Sequence, residues 1–262
     1  MTLVLVLVEP AGPLNVGSVA RLCANFGIPE LRLVAPRCHH TGDEARRMAV
    51  HGGHLLDQAR LFPNLTAALA DCRRVVATSG RLENEDVPLS SPEEALAWLD
   101  ADLSARTHST ASTSALVFGR EDRGLSNDEL RQAGRVVRLS TDAAYCSLNL
   151  SHAVAICLHE LQQLRTGARS KPVRPQPTPA SSTADASADP GADPSPRAAL
   201  EAALADAEAL LLEVGFLYPH TAHARMAKLR ALLQRALVTD PEVALLRGMV
   251  RQLRWAAQHR TP

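Results

Sequence analysis

The chain opens with Leu3, Val4, Leu5, Val6, Leu7 and Val8, an unbroken apolar run stopped by Glu9 and Pro10. A strand with one wet face alternates apolar and polar residues. One that is apolar at every position must be covered on both faces, as in parallel sheets flanked by helices. The run is too short to span a bilayer and has no basic residues before it, so it reads as a buried first strand and not as an export signal. Similar runs recur at 31–35, 75–78, 115–118 and 136–139, with helical patterns such as 18–26 and 127–133 between them. Strand and helix alternate, which predicts a doubly wound α/β domain.

At 262 residues and 46% hydrophobic content, the chain can fill one substantial core and leave material for a smaller unit. Basic and acidic residues balance at 28 each, so no overall positive field draws in nucleic acid, and any RNA contact must come from a local patch. The cysteines Cys23, Cys38, Cys72, Cys146 and Cys157 lie far apart and form no C-x-x-C pair for zinc or redox cycling. A reducing cytoplasm suits them.

Ser91, Pro92 and Glu94 supply an N-cap hydroxyl, a first-turn proline and a capping-box carboxylate ahead of Ala95, Leu96, Trp98 and Leu99. This predicts a helix inside a longer polar insertion, 80–114, expected to be partly mobile. After Asn149, Leu150, Val154, Cys157, Leu158, Leu161 and Leu164 form one apolar stripe on a further helix. Residues 166–196 are almost all Pro, Ala, Ser, Thr, Asp and Gly, with Val173 as the one large apolar residue, and they read as a disordered linker. Helical patterns follow at 198–214, with Gly215 placed as its cap, at 222–236 and at 241–258. The expected division is therefore a first domain at 1–165, a linker at 166–196 and a helical extension at 197–262, whose small core alone is marginal.

Three stretches gather polar residues and glycine at the ends of predicted strands, where open α/β sheets place ligands: EPAGPLNVGSVAR at 9–21, LVFGREDRGLSNDEL at 116–130 and AAYCSLNLSHAV at 143–154. In the first, Gly12 and Pro13 turn the chain, and Asn15, Gly17 and Ser18 open a helix on which Arg21 points back toward the loop. A helix N-terminus beside a guanidinium is a phosphate site, and equally an ordinary helix start with a surface arginine. In the second, Gly119 lacks a Cβ and so admits a flat ligand to the backbone, while Arg120 and Glu121 read either as site residues or as a structural ion pair. In the third, Ser147 and Asn149 face the same crevice or serve as an N-cap pair. There is no G-x-G-x-x-G after the first strand and no P-loop sequence, which disfavours nicotinamide enzymes and P-loop NTPases. His39, His40, His51 and His54 crowd together without metal-ligand spacing and read as solvent-facing; no metal is expected.

In this order and spacing the three stretches resemble the three motifs of the SpoU, or TrmH-like, branch of the SPOUT RNA methyltransferases. The resemblance covers most of residues 1–165, including VVATSGR at 75–81. GFLYPH at 215–220 and LLRG at 245–248 extend it to the C-terminal extension of the TrmJ subfamily. It implies a Rossmann-like parallel sheet with a C-terminal trefoil knot, and a cytoplasmic homodimer. The implied reaction is transfer of a methyl group from S-adenosylmethionine to a ribose 2′-hydroxyl in tRNA, at nucleotide 32, leaving S-adenosylhomocysteine. By the same resemblance, Arg21, Asn15, Glu121, Ser147 and Asn149 are catalytic. Thr78, Ser79, Gly80, Gly119, Leu139, Cys146, Ser147 and Leu148 contact the cofactor. RNA contacts are expected from Arg21, Arg120, and Arg225, Lys228 and Arg235. These last three are expected on a helix face opposite Leu229, Leu232, Leu233 and Ala236, which reads equally as a solvated face. Alternatives are another tRNA position, rRNA, a methyltransferase-like RNA-binding protein without catalysis, or another nucleotide-binding α/β enzyme whose loops mimic the motifs.

Overall fold

A computed structural model describes residues 2–80, 89–104, 113–142, 144–145, 147–167 and 194–259. The opening run is strand β1 (Thr2–Val8). Its leucines and valines divide cleanly between the two faces. Leu3, Leu5 and Leu7 enter one core with Val16, Val19, Leu96, Leu99, Val154 and Leu158, while Val4, Val6 and Val8 enter another with Leu65, Leu69, Leu125 and Leu130. Side chains alternate across a strand, so an all-apolar strand needs a helical layer on each side.

The sheet continues with β2 (Glu30–Val34), β3 (Arg60–Phe62), β4 (Cys72–Thr78), β5 (Leu89–Ser90), β6 (Thr113–Phe118) and β7 (Arg135–Val137). Among the described residues these seven strands lie in the order β3-β2-β1-β6-β4-β7-β5, all parallel. The chain builds outward from β1 through β2 to β3, then crosses to fill the other side. That reversal opens a crevice at the carboxyl ends of the strands.

Helix α1 (Pro13–Asn25) begins several residues before the expected start, with Gly12 at its N-cap and Pro13 in its first turn. The short helices α2 (Asp43–Ala49), α3 (Gly53–Asp57) and α4 (Leu65–Ala68) follow. In α5 (Pro92–Ser104), Glu94 N–H donates to Ser91 Oγ at 3.2 Å and Ser91 N–H to Glu94 Oε2 at 3.4 Å, the reciprocal cap its sequence predicts. Part of the insertion expected to be mobile lies outside the described residues; the part described holds β5 and α5, which buries Ala95, Leu96 and Leu99. Helix α6 (Asn127–Leu130) is capped by Ser126, and α7 (Leu150–Thr166) buries its whole apolar stripe.

The tail forms α8 (Arg197–Glu213), α9 (Pro219–Ala236) and α10 (Asp240–Gln258) around Leu200, Leu204, Leu217, Met226 and Val243, with Gly215 closing α8 at φ +75°. The unit touches the first domain. Ala198 N–H donates to the Ala70 carbonyl at 3.1 Å, and Arg73 donates to the Pro194 carbonyl at 2.6 Å while lying 3.8 Å from Asp240. Most of the expected linker lies outside the described residues.

Candidate active site

The three polar stretches meet at the carboxyl edge of the sheet. Glu121, in the loop after β6, accepts from the backbone N–H groups of Ala11 (3.2 Å) and Gly12 (3.1 Å) and from Asn15 Nδ2 (3.2 Å). Asn15 Oδ1 in turn accepts from Asn149 Nδ2 at 3.0 Å, and Asn149 Oδ1 caps α7 through Ser151 N–H at 2.9 Å. Residues more than a hundred positions apart thus form one continuous hydrogen-bonded chain. The two amides just ahead of α1 hold this internal carboxylate, beside the helix start where the sequence suggests an anion site. Arg21 lies about 12 Å farther along α1 and is exposed.

Beside this network is a cavity of about 240 Å³. Thr78 at the end of β4, Ser79 and Gly80 after it, Gly119 after β6, Leu139 after β7, and Ser147 and Leu148 before α7 all line it. Cys146 lies outside the described residues. Phe118, Leu125, Leu150 and Ala153 also line it, as do Arg120, Glu121, Asp122 and Arg123. Sequence reasoning missed Leu150 and Ala153 as lining residues. Their signal is positional, since they occupy the first turn of the helix that follows the third motif. Asn15, Arg21 and Asn149 do not line the cavity.

Gly119 and Arg120 both serve the protein's own loop. A Cβ on Gly119 would fall 2.3 Å from the carbonyl carbon of Gly124 and 2.4 Å from Leu125 N, so glycine is required by the protein's own tight loop, whatever ligand approaches. Arg120, expected at the RNA, is only 10% exposed. It makes a bidentate pair with Glu129 at 2.8 and 2.9 Å and also donates to Glu9. Its role is to lock the loop. The Arg120 hydrogen bonds hold the Glu9 carboxyl below its ordinary range. For Glu129, burial pushes upward, but hydrogen bonds from Arg120 and Ser126 prevail and the carboxyl is held low.

Among the described residues no three His, Cys, Asp or Glu side chains converge as a metal site. Cys23, Cys72 and Cys157 are buried, and burial pushes each thiol up to about 12, which makes them packing residues and not nucleophiles. On α9, Arg225, Lys228 and Arg235 are exposed. Leu232 is 53% exposed, and Ala236 is exposed too. Leu232 falls between Lys228 and Arg235 by helical spacing, so it belongs with the basic face and not opposite it.

The profile of the SpoU rRNA Methylase family matches residues 2–159, which contain the whole sheet, the cavity and the Glu121–Asn15–Asn149 chain. The chain belongs to the SpoU rRNA methylase family. A second profile, the C-terminal domain of the tRNA methyltransferase TrmJ, matches residues 198–262. Within the family, a Pseudomonas aeruginosa protein named tRNA (cytidine/uridine/adenosine-2′-O-)-methyltransferase TrmJ is 32% identical over 253 residues, 97% of this chain and 94% of its own length. A Cronobacter sakazakii tRNA (cytidine/uridine-2′-O-)-methyltransferase TrmJ is 32% identical over 94% of this chain and 93% of its own. The crystal structure of TrmJ from Z. mobilis ZM4 superposes with a TM-score of 0.77 at 27% identity, covering 97% of this chain and 99% of that one.

Proposed function

We propose that this chain methylates a ribose 2′-hydroxyl of tRNA with S-adenosylmethionine as donor, at nucleotide 32 of the anticodon loop, working as a cytoplasmic homodimer. The observation that carries the reading is the convergence of three separate loops on one cavity, braced by Glu121, Asn15 and Asn149. Near-full-length relatives named as tRNA 2′-O-methyltransferases support the substrate.

The lining suits such a donor. Leu139, Leu148 and Leu150 offer an apolar wall for a flat purine, and Thr78, Ser79 and Ser147 offer hydroxyls for its polar parts. When bound, the cofactor supplies a methyl group on a positively charged sulfur, already a strong electrophile. What remains for the protein is to orient the ribose hydroxyl and relieve it of a proton. Orientation is worth roughly 7–11 kcal/mol and a general base about 10² to 10⁴ in rate, so positioning dominates. Ser147 and Asn149 border the ribose in this reading. The Arg21 guanidinium clamps the target phosphate beside the developing alkoxide. Because Arg21 lies outside its own cavity, it serves the site of the other subunit. The C-terminal end of the first domain threads a loop to form a trefoil knot, whose residues Ser147 and Leu148 would hold the cofactor, and the basic face of α9 meets the tRNA.

The substrate class is tested by incubating the protein with methyl-labelled cofactor and, separately, tRNA and rRNA. Label in tRNA is expected. Label in rRNA alone would move the protein to a different substrate.

A further inference from the structure

Glu9, the residue after β1, carries three arginines on one carboxylate, and two of them, Arg120 and Arg123, line the cavity. Arg120 takes Oε1. Arg123 and Arg37 share Oε2, at 3.5 and 3.7 Å. The three are not equivalent. Arg120 is sunk in the loop, and both of its terminal nitrogens are taken by Glu9 and Glu129. Arg123 is 61% exposed and Arg37 is 49% exposed, and each touches Glu9 only at the long edge of ion-pair distance. One carboxylate oxygen, already half neutralised through its partner, cannot satisfy two further guanidinium groups. Among the described residues neither fork has another ion-pair partner, and both side chains are exposed. The other acids nearby are Glu121, occupied by the Ala11 and Gly12 amides and by Asn15, and Asp122, exposed in the same loop as Arg123.

We propose that Arg37 and Arg123 form a two-pronged grip for the RNA sugar-phosphate backbone at the cavity rim. Two positions support this. Arg123 lines the cavity, whereas Arg37 follows β2 and does not, its loop tied to the first motif by Arg37 N–H donating to the Pro10 carbonyl at 2.9 Å. The pair therefore straddles the rim, which fits a ligand that continues beyond the cavity with repeated anionic charge, and fits a compact cofactor carboxylate poorly. Glu9 spaces the two forks and keeps them from collapsing onto the loop. In a chain with no net charge, such a local grip supplies the attraction that composition does not.

The inference rests on the RNA-methyltransferase reading and is tested on the full chain. The variants are Arg37→Gln, Arg123→Gln, their double, and a double Lys control that keeps the charge. tRNA binding is measured without turnover over a salt series, and cofactor affinity by calorimetry. The double Gln variant is expected to weaken tRNA binding about tenfold and to flatten the slope of log affinity against log salt by about 1.4, near 0.7 per lost single-strand phosphate contact. Cofactor affinity stays within twofold, and the Lys control recovers most of the binding. Unchanged tRNA affinity and slope would overturn the grip while leaving the methyltransferase reading intact. A tenfold loss of cofactor affinity in Arg123→Gln would overturn it in favour of a cofactor carboxylate contact. A wild-type chain that neither binds nor methylates tRNA overturns both.

Discussion

Glu121 closes the start of α1 and positions Asn15, which positions Asn149, so two of the polar loops are set by one carboxylate reaching across from the third. None of these contacts is periodic, and partners more than a hundred positions apart leave no mark in local spacing. The polar loops stood out in the sequence, but their roles came from resemblance. Gly119 illustrates the limit. The sequence suggested space for a ligand; Gly119 does line the cavity, but the position a Cβ would take is held by Gly124 and Leu125. Gly119→Ala must therefore displace the loop. We expect a cost of about 1–3 kcal/mol, typical of overpacking, read as a lower thermal midpoint, together with weaker cofactor binding. Arg21→Ala is expected to behave oppositely. Methyl transfer is lost while cofactor affinity, measured by calorimetry, stays within a few fold, because Arg21 lies outside the cavity.

At the level of elements, the alternation of Leu and Val in β1 states the fold plainly, since each residue type fills a different core. Helix α1 was legible but mis-started, because its proline signal lies ahead of its apolar stripe. Helices α2 to α4 are too short to show a stripe at all. The loop from 119 to 125 is an element held by ions, and acid should release it. The Glu9 and Glu129 carboxyls are held below their ordinary value of 4.5, so their pairing with Arg120 stabilises the fold above that pH and is lost as the pH falls through the lowered values. The thermal midpoint should stay level down to about pH 4.5 and then fall. An Arg120→Met variant should start lower and show a shallower acid decline. An identical acid profile in that variant would assign the transition to other carboxylates.

The whole molecule is two helical layers on a parallel sheet, with a three-helix unit resting against the first domain. The sequence showed two units and could not show their contact, which depends on single residues such as Arg73. Its donation to the Pro194 carbonyl and approach to Asp240 join the domains. Removing a charged hydrogen bond of this kind costs about 1.5–3 kcal/mol. Arg73→Ala should speed limited proteolysis ahead of α8 and weaken tRNA binding, with cofactor binding unchanged. The central claim, methyl transfer to a ribose hydroxyl of tRNA, has a direct chemical signature. A free 2′-hydroxyl attacks the adjacent phosphate in alkali, and a methylated one cannot. Bulk tRNA labelled by this protein with methyl-tritiated cofactor should, after complete alkaline hydrolysis, carry its label in alkali-resistant dinucleotides. Label recovered in mononucleotides, which places the methyl group on a base, or no label from protein that binds the cofactor, would contradict the account.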